Sequence, residues 1–180
     1  MIDKLIELKN ELAIVAKIGK YPDVCFLPLS RVEIVVIVPA GHHLIKKENT
    51  TIKDLSKEPI IIKEKGSATR KYINKLFIQK GLTLNILMET SNPEFIKQLV
   101  QQKEGISFLP REEVSLELRE KKLAIIPIKG EEFFIHLYVA YPKNKPLSLP
   151  TQAFLDILKK IHGEVPFMRT SALLEKIRSG

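Results

Sequence analysis

The sequence predicts an α/β fold. Short runs rich in isoleucine and valine alternate with segments whose apolar residues recur at helical spacing. Two of the runs, 12–16 (LAIVA) and 32–39 (VEIVVIVP), are nearly continuous, as strands are when both faces of a parallel sheet are covered. Between residues 60 and 110 the order is strand, helix, strand, helix, strand, the alternation from which layered α/β domains are built.

Each element has its own local reason. Ile2, Leu5, Ile6 and Leu8 share a helical face, and LAIVA after them reads as a fully buried strand. Tyr21-Pro22-Asp23 breaks the chain before the run 32–39, which ends in the loop AGHHLIKKENT. The segment TTIKDLSKEP reads as a short capped helix before the strand 60–62. The next helix carries Tyr72, Leu76 and Phe77 and stops at Gly81, and LNILMET gives a further strand. In SNPEFIKQLVQQKEG, Pro93 suits the first helical position and Asn92 the N-cap, with Phe95, Ile96, Leu99 and Val100 as the buried stripe. GISFLP is a strand, 114–118 a short helix, and LAIIPI and FIHLYVAYP are two more strands. Leu149-Pro150 opens a last helix with Phe154, Leu155, Leu158 and Ile161 inward, followed by a loosely docked tail.

Composition narrows the chemistry. Twenty-nine Lys+Arg against 21 Asp+Glu leave a net charge of +8, which permits an anionic partner, but the lysines are scattered and read as a solvated surface. Cys25 is the only cysteine, so no internal disulfide forms. No apolar run nears the ~20 residues that cross a bilayer. The N-terminus does not read as a secretion signal, so a cytoplasmic protein without membrane contact is expected. The four histidines, at 42, 43, 136 and 162, include no i, i+4 pair and have no neighbouring cysteine, so no metal site is expected. GSATR lacks the lysine ending of a phosphate-cradling loop. Ser107 lacks the glycine flank of a nucleophile elbow, and the pairs Glu112-Glu113 and Glu131-Glu132 point their side chains apart. No catalytic residue and no cofactor are expected.

EKGSATRK, between the strand 60–62 and the following helix, admits two readings. One is punctuation: Gly66 for an unusual backbone angle and Ser67 as the cap. The other is a site, because a helix start offers unpaired N–H groups and partial positive charge to a carboxylate or oxyanion.

In order, NELAIVA, VEIVVIVPAGHHL, TIKDLSKEPIIIKEKGSATRK, METSNPEFIKQLVQQKEGISFLPREEV and LYVAYPKNKPLSLPTQAFLDIL resemble the effector-binding domain of LysR-type transcriptional regulators. The resemblance implies a two-lobed type 2 periplasmic-binding-protein-like fold: residues 1–47 and 139–163 form lobe one, 48–138 lobe two, and 164–180 a C-terminal tail. It implies a small effector, here expected to be anionic, in a cleft between the lobes. Matching the motifs residue by residue gives Gly66, Ser67 and Thr69 at one helix start, and Thr90, Ser91 and Asn92 at the next, as ligand-binding residues. Gly105 and Pro110 match a structural Gly-x-x-x-x-Pro strand. Relatives are homo-oligomers that bind DNA through a helix-turn-helix. That domain is absent from this chain, as are the first elements of lobe one, so lobe one is expected to be incomplete. The chain departs from the family at Ala13, where an acidic residue is usual, and at His43, where proline is usual. A transporter solute-binding protein of the same fold is the alternative reading.

Overall fold

A computed structural model describes residues 5, 10–16, 21–162, 172, 173 and 175. The chain forms two compact units, Met1–Val32 with His136–Gly180, and Glu33–Ile135. Residues 33–47, assigned to lobe one from the sequence, therefore lie in the second unit. Two long strands, β2 (Val24–Pro39) and β7 (Phe133–Pro142), run from one unit into the other.

In the first unit β1 (Ala13–Ala16) pairs antiparallel with β7, Ala13 opposite Ala140 and Ala16 opposite Leu137. β1 is not the fully buried strand its composition implies. It ends the strand order, its residues alternate, and Ile14 is 56% exposed while Ala13 and Val15 are buried. Leu5 is helical and buried as expected, whereas Ile2, Ile6 and Leu8 lie outside the described residues. The closing helix Leu149–His162 buries Leu155 and Leu158 beside Leu29 and Val139, with Ile161 partly covered, but Phe154 is exposed. Most of the tail lies outside the described residues; within it Leu173 is helical and buried in this same cluster. Glu11 holds the start of this helix, accepting from the Ser148 amide at 3.1 Å, from its hydroxyl at 2.7 Å and from the Thr151 hydroxyl.

In the second unit the strand order is β6-β2-β5-β3-β4, with β3 (Ile60–Lys63), β4 (Ile86–Thr90), β5 (Ile106–Pro110) and β6 (Leu123–Ile126). β3 is parallel to both β4 and β5. β2 is buried continuously from Ile34 to Pro39, as its apolar run predicts, but it is antiparallel to β5 and β6. Continuous burial reports covered faces and not strand direction, which is where the inference from composition fails.

Helices cover both faces of this sheet. α1 (Ile52–Leu55) starts at Thr51, whose hydroxyl accepts from the Asp54 amide while Asp54 accepts from the Thr51 amide, so two orphan donors are satisfied reciprocally. α2 (Ala68–Gln79) sets Phe77 edge-on against Phe108, ring centroids 6.1 Å apart. α3 (Pro93–Gln101) packs Ile96 and Val100 on Ile61 and Leu109. Phe108 and Leu109 are consecutive in β5, so they face opposite sides of the sheet and each meets its own helix. The helix expected at 114–118 is a 3-10 turn, Arg111–Val114, followed by α4 (Ser115–Arg119).

After β2 the chain makes a 3-10 turn, His43–Lys46, entered from His42 at φ −57°, ψ 141°. That is the conformation a residue before proline adopts. Among the described backbone hydrogen bonds none is donated by the His43 amide. His43→Pro is therefore expected to raise stability by about 0.4–1 kcal/mol by restricting the unfolded chain. Chemical denaturation of the two proteins under chelator checks this.

Candidate functional site

Lys63, the last residue of β3, pairs in register with Thr90, the last residue of β4. The turns leaving these parallel neighbours lead into α2 and α3. Both helix N-termini therefore sit at one edge of the sheet, beyond the carboxyl ends of its strands, where open α/β sheets bind ligands. All six expected site residues belong to these two turns.

The two termini differ. Gly66 has φ +109°, a backbone angle that L side chains rarely adopt, and it swings the chain from the strand into the helix. Ser67 is the N-cap of α2, but its hydroxyl makes no cap hydrogen bond, contrary to the capping role its position implies. The first-turn amides of α2 thus lack the side-chain acceptor that usually satisfies one of them, and the Ser67 hydroxyl stays available beside them. Thr69 is buried in that turn. At α3, Asn92 does cap: its Oδ1 accepts from the amides of Glu94 at 3.0 Å and Phe95 at 3.3 Å. Thr90 Oγ1 accepts from the Asn92 amide at 3.3 Å, and Ser91 is exposed. The α2 terminus is open, the α3 terminus closed by its own cap.

Charges at this edge come from residues that the motif match does not select. Lys63 reaches Glu113 at 3.2 Å, tying β3 to the turn after β5. Arg70, in the first turn of α2 and 5% exposed, donates from Nη2 to Glu89 at 2.8 Å. Its Nε and Nη1 are buried without a hydrogen-bond partner among the described residues. The signal for Arg70 was present in the sequence, since it completes GSATR, but a lone arginine on a helix is ordinarily solvated. The order of elements gives no hint of the Lys63 to Glu113 pairing, which needs the parallel register.

A separate cavity of about 450 Å³ is lined by Glu33 to Val36, Arg111 and residues 125–128 and 130–133. It contains none of the expected site residues. Its charged lining is Glu33, Glu131 and Glu132 against Arg111, with Glu33 already on Arg111 at 2.9 Å, an excess of negative charge that disfavours an anion.

Hydroxyls and helix N-termini at the strand ends of an open sheet are where α/β domains bind small ligands. Residues 1–162 match the model of the LysR substrate binding domain, and the chain belongs to that family. It is 38% identical over 125 residues to the HTH-type transcriptional activator CmpR of Synechocystis sp. (strain ATCC 27184 / PCC 6803 / Kazusa), a match covering 69% of this chain and 41% of that protein. The regulatory domain of CcmR from Synechocystis PCC6803, solved in complex with 2-PG, superposes with a TM-score of 0.79 at 30% identity, covering 92% of this chain and 79% of that one. The effector-binding domain of QuiR, solved with shikimate, gives a TM-score of 0.79 at 27% identity, covering 93% and 78%. The fold is thus the periplasmic-binding-protein-like one that the sequence motifs imply. The chain spans about half the length of the curated relatives it matches. Among the described residues no helix is long and apolar enough to cross a membrane.

Proposed function

We propose that this chain is the effector-sensing domain of a LysR-type transcriptional regulator and that its effector is a small anion held at the α2 and α3 N-termini. The single observation that carries the reading is the open α2 terminus: first-turn amides without a side-chain cap, the uncommitted Ser67 hydroxyl, and two unpartnered donors of the buried Arg70 in the same turn. In this reading α2 supplies the charge complement, Gly66 lets the backbone approach the ligand, and Thr69 lines the turn. Ser91 and the side-chain N–H₂ of Asn92 add donors from the neighbouring strand end, while Thr90 holds that turn in shape. The ligands carried by CcmR and QuiR, 2-PG and shikimate, are acids and agree with an anion.

The wider roles follow from the same reading. The matched regulators are DNA-binding by name, so contact with DNA is assigned to a helix-turn-helix outside this chain, and the protein to the cytoplasm. Homo-oligomerisation has its support at β4, which ends the strand order and exposes Ile86, Leu87 and Met88, an edge another copy would cover. No catalytic step is assigned to any residue. The matched proteins are transcriptional regulators, which favours this reading over a transporter component.

With 2-PG as the probe, the Ser67→Ala, Ser91→Ala double variant is expected to bind about 1–3 kcal/mol more weakly than the parent, as loss of hydrogen bonds to a charged ligand predicts. Calorimetric titration reads this directly, and unchanged affinity would remove these hydroxyls from the site.

A further inference from the structure

At the other end of the second unit, where β2 ends and β3 begins, two histidines converge on one carboxylate. His43 Nε2 lies 3.1 Å from Glu58 Oε1, and His42 Nε2 lies 3.7 Å from Glu58 Oε2. The rings face each other with centroids 4.3 Å apart, and one donor atom from each of the three residues falls within 4.8 Å of the other two. Ligands on a tetrahedral zinc, at about 2.0–2.1 Å from the metal, stand about 3.3 Å apart. The two carboxylate-to-imidazole distances, each to its own Glu58 oxygen, lie on either side of that spacing.

The side chains also divide into a fixed floor and a movable arm. His42 and Glu58 are 14% and 16% exposed and held by their surroundings, while His43 is 67% exposed and can close the remaining gap by rotation. Lys47, in the same loop, is bound by Asp54 at 2.7 Å and so is partly neutralised. The spacing argument that excluded a metal looked for i, i+4 pairs within one element. Here Glu58 arrives through the fold, from the turn before β3.

We propose that His42, His43 and Glu58 form a binding site for a late first-row divalent cation of the zinc type, joining the loop after β2 to the turn before β3. Two imidazoles and one carboxylate are the donor set such ions prefer over magnesium or calcium, and three protein ligands leave a fourth position open to solvent. Loading has one local consequence. His42 Nδ1 now accepts from the Leu44 amide at 3.3 Å, so metal on Nε2 places the ring proton on Nδ1 and displaces that amide. The site clamps the turn that contains Pro59, on which β5 begins, at the edge opposite the proposed effector site.

The test is a titration of zinc ion into the chelator-stripped, tag-free full chain, followed by calorimetry and by the Leu44 amide resonance. One zinc per chain with micromolar or tighter affinity is expected, with displacement of the Leu44 signal and a raised melting temperature. Because a ligand contributes at least as much as its supporting partners, His43→Ala and His43→Pro should each weaken binding about tenfold or more. His136→Ala, at an exposed histidine in the other unit, should bind zinc as the parent does. Absence of saturable binding at millimolar zinc, or the parent's affinity retained in both His43 variants, would overturn the assignment. Either outcome leaves the effector site untouched, since none of its residues takes part.

Discussion

Lys97→Met is expected to cost about 3–5 kcal/mol of folding stability near neutral pH. Lys97 projects from α3 with its side chain 7% exposed, pairs with Glu117 at 2.7 Å and Glu94 at 2.8 Å, and donates to the Glu113 carbonyl at 3.1 Å. Glu117 is itself 8% exposed, and its second carboxylate oxygen has no hydrogen-bond partner among the described residues. Methionine keeps the apolar stem and removes the charge, leaving a buried carboxylate alone. Burial pulls the Lys97 ammonium down, but its hydrogen bonds to Glu117 and Glu94 outweigh this and hold it above the usual range. Burial pushes Glu117 up, and the Lys97 hydrogen bond, a backbone hydrogen bond and the charges of Lys97 and Lys122 together outweigh that and hold it below the usual range.

The sign of the pH dependence follows. A depressed carboxyl contributes stability above its unfolded pKa and loses it as pH falls through the folded value. A raised ammonium contributes below its unfolded pKa and loses it as pH rises through the folded value. The pair is therefore fully stabilising between the ordinary carboxylate and lysine ranges. In Lys97→Met, burial still pushes Glu117 up while its strongest opposing partner is gone, leaving only a backbone hydrogen bond and the Lys122 charge against it, so its carboxyl takes up a proton more readily and the deficit shrinks toward acid. Lys97→Met with Glu117→Leu should recover much of the loss, because removing both charges removes the uncompensated one. Urea denaturation of the four proteins of this cycle gives the coupling directly, and equal losses in the single and double variants would show that the charge is not the cause.

Gly105→Ala is expected to cost about 3 kcal/mol. A Cβ at this position would stand 2.5 Å from the Pro59 carbonyl oxygen and 3.1 Å from its carbon. That oxygen cannot retreat freely, since it accepts the Ile106 amide at 2.9 Å where β3 and β5 begin their parallel pairing. The glycine is required by close backbone approach and not by an unusual φ, so even the smallest side chain separates two central strands. A variant as stable as the parent in denaturant would mean that the strands can part without penalty.

Most of the architecture was legible because periodicity reports burial. Ile60 to Ile62, Ile96, Val100, Leu155 and Leu158 lie where their spacing puts them. Asn92 and Thr51 cap as their side-chain chemistry dictates. The failures share a cause. Phe95 and Phe154 sit on the rim of their apolar stripes and stay 41% and 42% exposed, while Lys97, two residues from Phe95, is buried because Glu117 from another helix meets it. Ile14 is exposed because β1 ends the strand order and its residues alternate between buried and open faces. Partners distant in sequence decide these positions, and a one-dimensional pattern does not contain them.

The placement of the candidate residues was legible to the same degree. The motif match selects the two turns, and the register of Lys63 with Thr90 brings them to one sheet edge. It does not separate an open helix terminus from a closed one, which depends on where the Ser67 hydroxyl points, nor does it find Arg70 or Glu58.

The central claim is that an anionic effector binds at the open α2 terminus beside the β4 to α3 turn. Amide chemical-shift mapping of the full chain titrated with 2-PG, shikimate and inorganic phosphate tests it most directly. The account predicts saturable shifts concentrated at residues 66–70 and 90–95 with at least one of the three. Saturable shifts centred on residues 125–133, or none with any of them, would contradict it.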